Sequence, residues 1–176
     1  MTEAFALTHP VIVDKLPDLG TTVKIAPDEG VREALAKQLK LVAIPALKAT
    51  VTVVRQGSGV RVGGHVSAVV RQACVATLED FDAPIEEDID LGFAPPHKLA
   101  EVKPGGAEID VGELDEPDPL IDGVIDVGAV VVEFLALGID PYPRKPGAVF
   151  KVPKEAAVEE KSPFAALAKL RDPESD

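Results

Sequence analysis

What this 176-residue chain lacks narrows its reading first. It has one cysteine, Cys74, so no disulfide can form within it, which suits a reducing compartment. It has no tryptophan, one tyrosine and six phenylalanines, so valine, leucine, isoleucine and alanine must fill the core. No basic segment followed by an apolar run opens the chain, so no signal peptide is expected and the cytoplasm is the expected location. No apolar run is long enough for a transmembrane helix, so no membrane partner is expected. Catalytic signatures are missing as well. The histidines His9, His65 and His97 are scattered, and there is no GxSxG, P-loop, GxGxxG or HExxH pattern. The chain is therefore expected not to be an enzyme, and to need no metal and no cofactor.

What is present is unevenly distributed charge. The net formal charge is −12. Residues 48–78 carry Lys48, Arg55, Arg61 and Arg71 and no acid, whereas residues 79–122 carry fifteen acids against Lys98 and Lys103. A compact cationic segment beside a long acidic one points to interaction chemistry. Sixteen prolines and fourteen glycines imply long irregular connections.

The most informative stretch is 126–147. Asp126 has the chemistry of an N-cap. Val127, Val130, Val131, Phe134, Leu135 and Leu137 cover more than one helical stripe, which predicts a buried helix with Glu133 on its wet side. Gly138 and Pro141 stop it. The segment Asp140-Pro-Tyr142-Pro-Arg144-Lys145-Pro146-Gly147 then reads as an extended, proline-stiffened arm bearing one aromatic ring and two cations.

Upstream, Val11–Val13 and Thr21–Ile25 read as short strands around a Pro17–Gly20 turn. Pro27, Asp28 and Glu29 open an amphipathic helix over 28–43, with Val31, Leu35 and Leu39 on its apolar stripe. Ala49–Val54 and the run starting at Val60 form a hairpin around Gln56–Gly59. From Val60 to Leu78, Val60, Val62, Val66, Ala68, Val70, Cys74, Ala76 and Leu78 share one strand face, and Arg61, His65, Ser67, Arg71 and Thr77 the other. A strand that long predicts a bend or bulge at Gly63-Gly64 and a break near Gln72. Cys74 falls on the apolar face and reads as an inert core thiol. Ile85–Phe93 alternates weakly, as a further strand. Glu86-Glu87-Asp88 reads as a solvated acidic face in preference to a cation site.

The fold class expected is α+β. An antiparallel meander, mainly 49–93, is open or closed toward a barrel, with two main helices on one face. Residues 1–152 form a single domain, with an acidic Pro/Gly-rich loop at 95–122 that a short strand at 107–111 interrupts. Residues 153–176 are a linker and a short helix at 162–170 that docks on its own domain or on a partner.

One set of residues carries a resemblance. Arg71-Gln-Ala-Cys74-Val-Ala-Thr77-Leu-Glu79-Asp-Phe81, an acidic strand, Ile125-Asp126-Val-Gly128, Asp140-Pro-Tyr-Pro-Arg-Lys-Pro and Ser162-Pro-Phe-Ala-Ala-Leu167 follow one another in order. This arrangement resembles the YceD-like family of large ribosomal RNA subunit accumulation proteins, in its alphaproteobacterial branch, over roughly residues 20–170. The resemblance implies a cytoplasmic, non-enzymatic role in accumulation or maturation of 23S ribosomal RNA. Some members carry a CxxC pair at the strand position and further cysteines after the helix, which look like a zinc knuckle. Here Arg71 stands at the first of those positions and Arg144-Lys145 follow the helix. One thiolate cannot build a tetrahedral site, so ordinary packing is expected in place of metal.

Two functions follow. The chain is an RNA-binding factor for ribosomal RNA or a large-subunit precursor, with Arg55, Arg61, Arg71, Arg144 and Lys145 on phosphates and Tyr142 stacked on a base. Alternatively it is an adaptor whose acidic 79–122 segment holds a basic ribosomal protein.

Overall fold

The computed structural model describes residues 5–96 and 117–150. Most of the acidic loop expected at 95–122, including the strand expected at 107–111, and the whole helix expected at 162–170 lie outside the described residues. Five strands make the main sheet: β2 (Thr21–Ile25), β3 (Ala43–Gln56), β4 (Gly59–Ala73), β5 (Asp80–Ala94) and β6 (Asp118–Pro119). Their spatial order is sequential, all neighbours are antiparallel except β5 and β6, and β1 (Pro10–Ile12) pairs separately with β7 (Val124–Asp126). The α+β expectation stands, with two helices, α1 (Glu29–Gln38) and α2 (Val127–Leu137). The barrel variant does not: β2 and β6 are opposite ends of an open sheet. With apolar residues on one face only, the sheet needs a cover more than it needs closure.

That cover is the two helices. Leu35 of α1, Val51 and Val53 of β3, Val62, Val66 and Val70 of β4, and Val127, Val131, Val132 and Leu135 of α2 belong to one buried cluster. Each such side chain, fully withdrawn from water, stabilises by about 1.5–3 kcal/mol. Phe134 is half-buried, Glu133 faces solvent as expected, and Leu137 is exposed against expectation at the end of the helix.

Several boundaries shift. Helix α1 starts on Asp28, whose carboxylate accepts from the Val31 amide at 2.9 Å, but it ends at Gln38 where 43 was expected. Lys40 turns left-handed (φ 57), and the Leu41 amide donates back to the Ala36 carbonyl, a Schellman closure made without glycine. Strand β3 therefore begins at Ala43. Pro45 sits where its register with β4 slips between Ala43 and Ala46, the kind of place a strand tolerates proline. Strand β5 begins at Asp80 where Ile85 was expected. No bulge occurs at Gly63-Gly64, where the ladder to β3 is continuous, whereas the strand does stop at Ala73, beside the break expected near Gln72. Gly64 serves a close approach instead, since a Cβ would lie 2.2 Å from the Thr50 carbonyl oxygen. The strand ends before Leu78, which is 81% exposed and left-handed in the β4–β5 turn.

Asp126 ties the helix to the N-terminal segment. One carboxylate oxygen accepts from the Gly128 amide (2.9 Å), the Ala129 amide (3.2 Å) and the His9 amide (2.7 Å), while the Val127 amide donates to the His9 carbonyl (3.0 Å). Gly128 permits this crossing, because a Cβ there would come within 2.8 Å of the backbone of residues 7–9. Losing an N-cap costs about 0.5–2 kcal/mol, and this one also leaves the His9 amide without its acceptor. Asp126→Ala is expected to fall near the top of that range by urea denaturation. Asp126→Asn is expected to recover most of the loss.

Candidate functional site

The face of the sheet turned away from the helices is polar. Fourteen residues of β4 pair with β5 in one register, from Val60 opposite Phe93 to Ala73 opposite Asp80. That register brings the cations of β4 onto the acids of β5. Arg71 lies opposite Asp82 and donates twice to it, at 2.6 and 2.9 Å. Arg61 reaches diagonally to Asp90, with its Nε donating at 2.8 Å, across the space left by Gly63. Between them, His65 places Nδ1 2.9 Å from Asp88 and Nε2 2.6 Å from Glu86, and Ser67 donates to Glu86 at 2.8 Å.

Carboxylates face both ring nitrogens of His65, an arrangement that favours the doubly protonated ring. Its pKa is raised, first by the Asp88 hydrogen bond and then by Glu86. The Arg71 guanidinium lowers Asp82, and Ser67, followed by His65, lowers Glu86. All these groups remain about half-exposed or more, so solvent screening leaves each pair a small contribution to stability. The acids expected as a separate solvated face are the other half of a cross-strand ladder.

The second feature is the segment after α2, a strap over the β4–β5 turn. Gln72 donates to the Asp140 carbonyl at 3.0 Å, and the Val75 amide to the Pro143 carbonyl at 2.9 Å. The Lys145 amide donates to Cys74 Sγ at 3.4 Å, and Lys145 Nζ meets Glu79 at 2.9 Å. Cys74 is buried, as its strand parity predicts. Its thiol pKa is lowered to about 7, first by the Thr77 hydroxyl and then by the Lys145 amide. Thr77 Oγ1 is buried but falls short of hydrogen-bond geometry with any atom, so the Lys145 amide is the firmer contact.

The six residues expected to contact RNA do not gather into one patch. Arg55 points to the helix side and donates to the Val13 carbonyl at 2.7 Å, holding the turn after β1. Arg61 and Arg71 share the open face but stand ten positions apart on one strand, about 33 Å. Tyr142, Arg144 and Lys145 lie on the strap, at the Arg71 end of β4. The Tyr142 ring is 75% exposed, and Arg144 is exposed with no ion pair, whereas Lys145 is held by Glu79. Sequence reasoning missed the β5 partners of Arg61, His65 and Arg71. The signal was there, in two period-2 runs of opposite charge joined by a turn.

A family model described as "Large ribosomal RNA subunit accumulation protein YceD" matches residues 62–171, more than half of the chain. The chain belongs to this family. Searches of curated proteins and of solved structures return no match. The match runs from Val62 in β4 through the strap, so the strap and the ladder from His65 to Arg71 fall within it, with Arg61 just before its start. In this YceD-family chain Arg71 faces Asp82 on the open side, while Cys74 lies beneath the strap on the core side. Among the described residues, no group of three histidine, cysteine, aspartate or glutamate side chains is placed to hold a metal ion.

The His65 geometry has a pH consequence. Its folded pKa exceeds its unfolded value of about 6.5, so its contribution to stability is fully present below pH 6.5 and is lost as pH rises through the folded value. The imidazole resonances of His65 are expected to titrate above 6.5, and Asp88→Asn to move the midpoint down. A midpoint at or below 6.5 in the unaltered protein would contradict the double clamp.

Proposed function

We propose that this chain is a non-enzymatic factor that supports accumulation of large-subunit ribosomal RNA by touching the RNA itself. Family membership supplies the biological setting. The observation that carries direct contact is the strap: an exposed tyrosine ring and an unpaired arginine two residues apart, on backbone pinned to Gln72, Cys74 and Val75. A pinned platform loses little entropy on binding. A ring stacks on an unpaired base, and a neighbouring guanidinium reaches the phosphate beside it.

The other cations weigh less in this reading. Arg61, Arg71 and Lys145 would reach a phosphate only by releasing a carboxylate, and Arg55 is engaged with Val13. His65 stands on an open face with both nitrogens committed, which disfavours it as a catalytic base. The adaptor reading, with a basic ribosomal protein on the acidic segment, draws no support from β5. Asp82, Glu86, Asp88 and Asp90 are already answered by β4.

Tyr142→Ala with Arg144→Ala is expected to weaken binding to protein-free large-subunit ribosomal RNA by about tenfold or more, given about 1–3 kcal/mol per stacked base. The slope of log affinity against log salt is expected to fall by about 0.7–0.9 for the lost phosphate contact. Both side chains are exposed, so the melting temperature should hold. Unchanged affinity and slope would refute the strap as the contact. Capture of a basic ribosomal protein from lysate that survives RNase treatment would favour the adaptor.

A further inference from the structure

The ladder neutralises only half of the open face. On the other half, β2 and β3 present Thr22, Lys24, Lys48, Thr50 and Thr52. Lys24 lies opposite Thr50, and Lys48 is two positions from Thr50 on the same side of β3. The two lysines are therefore diagonal neighbours, about 7–8 Å apart. Both are exposed, and neither makes an ion pair or a hydrogen bond.

Among the described strand residues, the acids of this face belong to β5, beyond β4. The row through Lys48 continues to Ser67 and then to Glu86, and Glu86 is already bonded to Ser67 and His65. At about 4.8 Å per strand, it stands roughly 10 Å from the β3 backbone. The face is thus divided: compensated charge on β4 and β5, bare cations on β2 and β3. Threonines lie between the lysines. Thr22 and Thr52 bond each other at 3.1 Å, which leaves the Thr50 hydroxyl to a ligand. Two ammonium groups and a hydroxyl with no acid paired to them among the described residues suit an acceptor-only anion. With no aromatic ring on this half, nothing there favours bases.

We infer that the β2–β3 half of the open face, centred on Lys24, Thr50 and Lys48, is a second contact for ribosomal RNA, made to the phosphodiester backbone without regard to sequence. The inference rests on the reading that the chain touches RNA. It also adds residues that the family match does not include, since that match begins at Val62.

The test compares Lys24→Ala/Lys48→Ala with Tyr142→Ala/Arg144→Ala, Arg61→Ala/Arg71→Ala and the unaltered full chain. Binding of protein-free large-subunit ribosomal RNA, and of an unrelated RNA of equal length, is followed across a salt series. The lysine pair is expected to lower affinity for both RNAs about tenfold near physiological salt, and to reduce the salt slope by about 1.4–1.8, two phosphate contacts' worth. Lys24→Arg/Lys48→Arg should restore both. The Arg61/Arg71 pair should lose less, because those guanidiniums are already bound. If the lysine pair binds like the unaltered chain while the Tyr142/Arg144 pair is weakened, this surface is overturned and the RNA reading stands. An equal or larger loss from the Arg61/Arg71 pair also overturns it. If the unaltered chain binds neither RNA, both readings fall.

Discussion

One register, β4 against β5, decides both faces of this molecule. Side chains alternate strictly along a strand, so slipping the pairing by one residue would carry Val62, Val66 and Val70 out of the core. The same slip would bring Arg61, His65 and Arg71 against the wrong neighbours. The apolar side supplies the larger penalty, because several buried valines outweigh exposed ion pairs that solvent screens. The ladder is therefore a consequence of the core more than its cause. Its contribution is selectivity: in the correct register every cation of β4 meets an acid, and a one-residue slip would put those cations and acids on opposite faces.

The strap shows how the same strand end is finished by hydrogen bonds to a neighbouring segment. Beyond Gln72 the chain turns back through Cys74–Leu78, and the turn leaves backbone donors that need acceptors. Residues 140–145 meet them, with the Pro143 carbonyl taking the Val75 amide and Cys74 Sγ taking the Lys145 amide. Proline at 141, 143 and 146 fixes the backbone of a segment that bends at 141–142 and turns at 146–147, so little entropy is lost on docking. A strap tied this way has its side chains pointing outward, which is why Tyr142 and Arg144 are exposed while their neighbours are engaged.

Much of this was legible in residue order, and the parts that were not share physical causes. The parity of 60–74 foretold which side of β4 is buried, because period 2 is a property of the backbone. The Asp126 cap was legible because short acceptors at that position have few other uses. The end of α1 was hidden: Leu39, Leu41 and Val42 continue an apolar pattern, and nothing about Lys40 announces a left-handed residue. Pro45 looked like a terminator, yet a register slip accommodates it within β3. Gly63-Gly64 looked like a bulge because glycine marks both bulges and close approach, and only the position of Thr50 separates them. The site was obscured by summing charge along the chain. Counted by segment, cations and acids are separate blocks; counted by register, they are one ladder.

This pairing changes what a net charge of −12 means for a polyanion partner. Beyond a Debye length, about 8 Å at physiological salt, distant acids act weakly on a bound phosphate, so the contact is decided by what stands within a few ångströms of it. On β4 and β5 that local balance is near zero, because each cation has a carboxylate at hydrogen-bond distance. Among the described residues no acid pairs with Lys24, Lys48 or Arg144, so the balance that those residues set there is positive. The overall negative charge then acts mainly on encounter: it slows nonspecific approach by nucleic acid and leaves short-range contacts to determine what stays bound. An acidic protein with a few bare cations is therefore better suited to holding a particular stretch of exposed RNA than to coating RNA at large.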